Sequence, residues 1–213
     1  VSGVTASMAL IEAASEAGAD ALLVHHGYFW KGEDACITGM KQRRLRRLLG
    51  ADISLLAYHL PLDAHVHLGN NTQLARVLEF EPEGSFGCEP DLQLGQYGHL
   101  SRALDGAALA AHIGERLGRT PLHIPGAATS IETVGWCTGA AQSYIEAAAA
   151  RGLDAFISGE ISEQTVHVAR ETGIHYFAAG HHATERYGVQ ALGAHLAEYF
   201  VITHEFVDIG NPV

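Results

Sequence analysis

LIEAASEAGADA at residues 10–21 returns as YIEAAAARGLDA at residues 144–155, with seven of twelve positions identical. Alanine richness favours such a match. The shared Gly-x-Asp-Ala is more telling, because a glycine closes a helix where a left-handed residue is needed and a strand opens just after it. The two copies predict a duplicated strand–helix–strand unit. Around them, short apolar runs rich in β-branched and large aliphatic residues alternate with alanine-rich amphipathic stretches, the pattern of an α/β fold. Strands are expected over residues 1–5, 21–24, 53–58, 133–137, 155–158 and 175–178. Helices are expected over 7–17, 40–49, 72–79, 106–117, 140–150, 163–171 and 185–200. Residues 80–98, with Pro82, Gly84, Gly87, Pro90 and Gly95, read as a connector. The fold class expected is α/β: two similar intertwined modules with helices packed on mixed sheets, the first over residues 1–98 and the second over 99–213.

The composition narrows the function classes. Of 213 residues, 47% are hydrophobic and 17% charged, enough apolar surface for a core and too much for a disordered chain. Thirteen Lys and Arg stand against 24 Asp and Glu, a net charge of −11 that repels phosphate backbones, so a nucleic-acid partner is disfavoured. Cys36, Cys88 and Cys137 form no Cys-x-x-Cys pair, which argues against a disulfide framework or a thiolate zinc knuckle and makes a reducing, cytoplasmic location the default. No apolar run approaches the roughly 20 residues of a membrane span, and no charged-then-apolar leader opens the chain. The 14 histidines outnumber Lys and Arg together, and imidazole is the commonest protein ligand for transition metals.

Those histidines gather where strands end. His25 and His26 close ALLV, at the carboxyl edge where open α/β sheets hold ligands. Neighbours on a strand point to opposite faces, so the pair suits two ions better than one; the plainer reading packs one ring in the core and exposes the other. His59, Asp63, His65 and His67 follow ISLLAY, and His181, His182 and Glu185 follow HYFAAG. His181 and Glu185 share a face if a helix begins near His181. Two divalent ions side by side repel unless an anionic oxygen lies between them, and Asp63 and Glu185 are the candidate bridges. Nitrogen and oxygen ligands without thiolate suit Zn, Mn, Fe, Ni or Mg.

Other residues carry two readings each. Glu160 is a candidate general base or a helix-start carboxylate. His59, a candidate catalytic group, is with His65, His67 and His182 also a candidate to orient ligands or shuttle protons, against ordinary packing or exposure. Lys41, Arg43, Arg44, Arg46 and Arg47 crowd one helix as a solvated face or a local phosphate contact. Gly135–Gly139 could offer backbone N–H groups to an anion or serve tight strand-to-helix packing.

VHHGYFWKG, HLPLDAHVHLGNN and ISGEISEQTVHVARETGIHYFAAGHHATERYGV resemble the short bacterial members of the Ngg-interacting-factor-three-like family, the GTP cyclohydrolase 1 type 2 homologues. The resemblance covers essentially the whole chain. It implies two similar α/β modules, a ring-shaped homo-hexamer, and a dinuclear metal centre facing the cavity, with two divalent ions held by His25, His26, Asp63, His181 and Glu185. Members usually carry a further segment before the strand that opens here as VSGVT, and longer members insert a domain mid-chain that this sequence lacks. The expected function is a metal-dependent hydrolase acting on GTP or a related nucleotide through a metal-activated water. The rival is a non-catalytic metal-binding ring or scaffold that binds protein or nucleic acid.

Overall fold

A computed structural model describes residues 1–87 and 93–213; Cys88 and Pro90 of the expected connector lie outside the described residues. The chain opens with β1 (Ser2–Thr5), α1 (Met8–Glu16), β2 (Ala21–His26), α2 (Gly39–Gly50) and β3 (Ser54–Ala57). The three strands pair in parallel in the order β1-β2-β3. Ser7 starts α1 by accepting a hydrogen bond from the Leu10 amide (3.3 Å). Leu10, Ile11 and Ala14 then turn inward onto Leu22 and Val24 of β2.

Two short helices, α3 (Leu60–Asp63) and α4 (Asn70–Val77), lead into the second sheet. Its elements are β4 (Phe80–Phe86), β5 (Gly95–Leu104), α5 (Gly106–Leu117), β6 (Leu122–Ile124) and β7 (Ile131–Cys137). A 3-10 turn at Gln142–Tyr144 then leads into α6 (Ile145–Ala150), β8 (Ala155–Ser158), α7 (Glu163–Thr172), β9 (His175–Ala178) and α8 (His181–Phe200). The six strands run β4-β5-β7-β8-β9-β6, with β7, β8 and β9 mutually parallel and the other pairings antiparallel, so this sheet is mixed. Successive strand residues face opposite ways. Trp136, Ile157 and Phe177 therefore fill one core, while Phe156 and Tyr176 fill the other. Among the described residues no helix is long and apolar enough to cross a membrane.

The two matched stretches fall on equivalent places. Each supplies the helix of a parallel strand–helix–strand unit, β1-α1-β2 and β7-α6-β8. The aligned glycines, Gly18 and Gly152, both take the left-handed conformation (φ 65° and 75°).

The connector expected over residues 80–98 is corrected: its described part belongs largely to an antiparallel pair, β4 with the start of β5. Pro82 is tolerated because β4 is the sheet edge and its ladder is irregular between Pro82 and Gly84. Gly84 makes room for a ring, since a Cβ there would stand 2.8 Å from the Tyr97 hydroxyl. β6, hemmed by Pro121 and Pro125, lies outside every expected element. The division expected between residues 98 and 99 falls inside β5.

Candidate metal centre

β2 carries its last two residues to the edge of the small sheet, and the backbone following β3 meets them there. His25 is fully buried, and its Nδ1 lies 2.8 Å from the Tyr58 carbonyl oxygen, which can only accept. Nδ1 therefore holds the proton, and Nε2 presents a lone pair 3.4 Å from Asp63 Oδ1 and 3.6 Å from Glu185 Oε1. His181, the first residue of α8, repeats the arrangement. Its Nδ1 is 2.7 Å from Glu160 Oε1 and its Nε2 is 2.9 Å from Glu185 Oε2. His26 Nδ1 lies 3.0 Å from Thr5 Oγ1, leaving Nε2 3.2 Å from Glu185 Oε2.

The helix at the C-terminal end begins at His181, four residues before the expected range, which sets His181 and Glu185 one turn apart on one face. Asn70, fully buried at the start of α4, fastens Asp63 to that helix. Its side-chain amide donates to Asp63 Oδ1 (2.8 Å), and its Oδ1 accepts from the Gly188 amide (2.8 Å).

The five expected ligands thus come together, and His59 joins their edge. Three groups of donor atoms each lie within 4.8 Å of one another: His25, Asp63 and Glu185; His26, His181 and Glu185; and His25, His26 and His59. Glu185 belongs to the first two, with Oε1 toward one and Oε2 toward the other. Its Oε2 is buried and aligned with no hydrogen-bond donor, although two imidazole nitrogens stand within reach. Nitrogen lone pairs and carboxylate oxygens facing one point suit a cation, so the donor set fits a divalent metal.

The electrostatics agree. The Glu185 carboxylate, with Glu160 adding to it, outweighs the cost of burial and lifts His181 to about 9. Burial disfavours a charged His25, but Glu185 and Asp63 raise its pKa nonetheless. Glu185 resists burial through the imidazoles of His181, His25 and His26 and stays well below the usual carboxylate range. Burial pushes Asp63 up against the pull of His25 and Asn70. For His59, burial and then the neighbouring His25 and His26 rings depress the pKa.

The remaining histidines part company with the centre. His65 uses Nδ1 to accept from the amides of His67 (3.2 Å) and Leu68 (3.1 Å), and both histidines are exposed. His182 turns to Asp208 (2.7 Å). None of the three orients a candidate ligand, because each is committed to backbone, solvent or the C-terminal segment. The amides of Thr138 and Gly139 are taken by Asn71 Oδ1 and Thr184 Oγ1, so the Gly135–Gly139 stretch serves packing. Asn70, Asn71 and Thr138 escape a reading of the sequence. The one available signal is a pair of adjacent asparagines directly after Gly69.

Gly139 has φ 67°, and a Cβ on it would fall 2.1 Å from Glu185 Oε1. Gly139→Ala should therefore displace the Glu185 carboxylate and weaken metal retention at least tenfold, while the backbone strain costs about 1 kcal/mol. Metal content after dialysis against a graded chelator, beside a thermal melt, checks this. Wild-type retention would show that Glu185 does not need its present position.

The fold and the site define an α/β protein whose strand ends gather histidines and carboxylates into a candidate metal centre. More narrowly, the chain belongs to the Duf34/NIF3 (NGG1p interacting factor 3) family, whose model matches residues 1–212. It is 58% identical over 212 residues to the "GTP cyclohydrolase 1 type 2 homolog" of Pseudomonas aeruginosa, covering 100% of this chain and 84% of that protein. The protein of the same name from Vibrio cholerae is 61% identical over 215 residues, covering 100% and 85%. Among solved structures, the ybgI protein, described as of unknown function, superposes with a TM-score of 0.95 at 52% identity, covering 100% of this chain and 84% of that one. TTHA1606 from Thermus thermophilus gives 0.86 at 32% identity, covering 100% and 83%.

Proposed function

We propose that the protein is a metal-dependent hydrolase acting on GTP or a related nucleotide, and that His25, His26, Asp63, His181 and Glu185 would hold two divalent ions, with Glu185 facing both groups of donors. The observation that carries this reading is the division of Glu185, one oxygen to His25 and Asp63, the other to His26 and His181. When bound, such a pair would supply a water acidified toward neutrality and a Lewis acid for the substrate's electrophilic atom. His25 and His181 keep Nδ1 protonated against Tyr58 and Glu160, so each offers Nε2 inward in a fixed tautomer. Glu160 is thereby a positioning residue. His59, with its pKa depressed, is neutral at physiological pH and able to accept a proton at the mouth of a 270 Å³ chamber, which Asp63, Thr138, Tyr144, His181 and Glu185 also line. The substrate class comes from the names of the relatives. A non-catalytic metal-binding scaffold is the second reading, and it is favoured by exposed Leu56 on β3, whose outer edge has no partner strand among the described residues, and by exposed Tyr58 and Leu60 after it.

Turnover separates the two. Protein reconstituted with Zn, Mn, Fe, Ni or Mg should act on GTP or a nucleotide in a panel, and His181→Ala should lower the rate by at least a hundredfold while the mass in light scattering stays that of wild type. Stoichiometric metal binding without turnover under any of these metals would leave the scaffold reading.

A further inference from the structure

We propose that the cleft beside the metal centre ends in an anion subsite that takes a phosphoryl group, with the Arg44 guanidinium and the start of α1 as its cationic wall. The proposal rests on the reading of the centre as one that acts on a nucleotide, and it names the part of the molecule that holds the substrate's charge. On the side of the centre where His26 and His181 look out, a 150 Å³ cavity is lined by both rings and by Val4, Thr5, His182, Asn211 and Val213. A second cavity of 230 Å³ shares Val4, Thr5, His182 and Asn211 and continues to Ser7 and Arg44. Thr5 joins the two ends, since its hydroxyl touches His26.

Arg44 is unlike the other basic residues of α2. Arg43, Arg46 and Arg47 are exposed and do not line the cavity, and Lys41 is tied to Glu33. Arg44 is half-buried, its Nε is shielded from solvent with no hydrogen-bond partner, and among the described residues no carboxylate lies within 4.0 Å of it. Its neighbour is the Tyr28 phenol, whose pKa burial raises against the opposing pull of this guanidinium. In a chain of net charge −11, this half-buried guanidinium has the neutral Tyr28 hydroxyl as a hydrogen-bonding partner and no carboxylate, which leaves its charge open to an anion. Its planar fork of donors matches a phosphate.

A second, independent feature points the same way. Ser7, on the same cavity wall, caps α1, and the first turn of that helix carries no acidic residue to neutralise its positive end. Of the carboxylates beside the lining, Asp208 is occupied by His182 (2.7 Å) and Arg186 (3.1 Å), and Val213, which lines the first cavity at its His181 end, has its oxygen taken by the His182 amide (3.0 Å).

The test titrates inorganic phosphate into the full chain stripped of metal, by calorimetry. Wild type should bind it, Arg44→Met should bind at least tenfold more weakly, and Arg46→Met, exposed on the same helix and outside both cavities, should bind like wild type. Ser7→Asp keeps the helix cap but places a charge against the anion, and should show the same loss without a folding defect. With the metal-loaded enzyme, Arg44→Met should raise KM for GTP and leave kcat, and the kinetics with guanosine, unchanged. Phosphate binding that depends on Arg44 in a protein that turns over no nucleotide would keep the subsite and remove the hydrolase reading. Absence of phosphate binding, equal binding by wild type and Arg44→Met, or a preference for a single-stranded oligonucleotide set by Arg43, Arg46 and Arg47 would overturn the proposal.

Discussion

Glu185→Gln should fold yet lose the divalent metal that the centre would hold, with affinity down at least a hundredfold. The amide has the shape of the carboxylate but neither its charge nor its second basic oxygen, and it would stand among the imidazoles of His25, His26 and His181. Glu185 is 3% exposed, so water cannot take over its part. Removing one side of a buried charge cluster typically costs about 3 kcal/mol or more, which for a chain of this size lowers Tm by about 10 °C in the metal-free state. Asp63→Asn touches only the group formed with His25 and should spare the other. Elemental analysis of the two variants beside wild type, with calorimetric melts, checks both expectations. Wild-type metal content in Glu185→Gln would remove Glu185 from the ligand set.

The second large effect is the removal of a pH dependence by metal. Without metal, His181 titrates at about 9 against an ordinary 6.5, because the Glu185 carboxylate favours its charged form. A pKa raised by folding stabilises the fold fully below the unfolded value and ceases to do so as pH climbs through the folded one. The contribution of His181 is therefore complete below pH 6.5 and gone above about pH 9, a loss of about 3 kcal/mol at most. Glu185 acts in the opposite sense, stabilising above its ordinary 4.5 and losing that on acidification. A divalent ion competes with the His181 proton, so its affinity should climb with pH, up to about tenfold per unit for each proton displaced. Loaded protein should keep its stability across pH 6.5 to 9 while chelated protein weakens. Urea unfolding of both forms across that window measures it, and a flat curve for the chelated form would contradict the ion pair between His181 and Glu185.

Much of this arrangement is legible as periodicity and spacing. The strands over residues 155–158 and 175–178 stand where the apolar runs put them, and the two Gly-x-Asp-Ala signals mark real left-handed helix ends. The histidine doublets are conspicuous because imidazole is seldom repeated at the ends of apolar runs. What escapes is set by partners distant in sequence. Pro82 and Gly84 are turn residues by local preference, and only the edge position of β4 and the Tyr97 ring across from it make a strand of that segment. Asn70 looks like a surface residue until Asp63 and the Gly188 amide are brought to either side of it. Nothing in their immediate sequence separates His65 and His67 from the centre; the exposed turn after α3 does.

α8 leaves β9 of the large sheet and packs along β1 and β2 of the small one. His181 and Glu185 thus belong to the same rigid rod, while His25, His26 and Asp63 come from the opposite bank of a seam. Ions seated between them would rivet that seam. Their residence time would then be governed by how often the two layers breathe apart, and a chelator would meet the cargo only as fast as the protein itself opens.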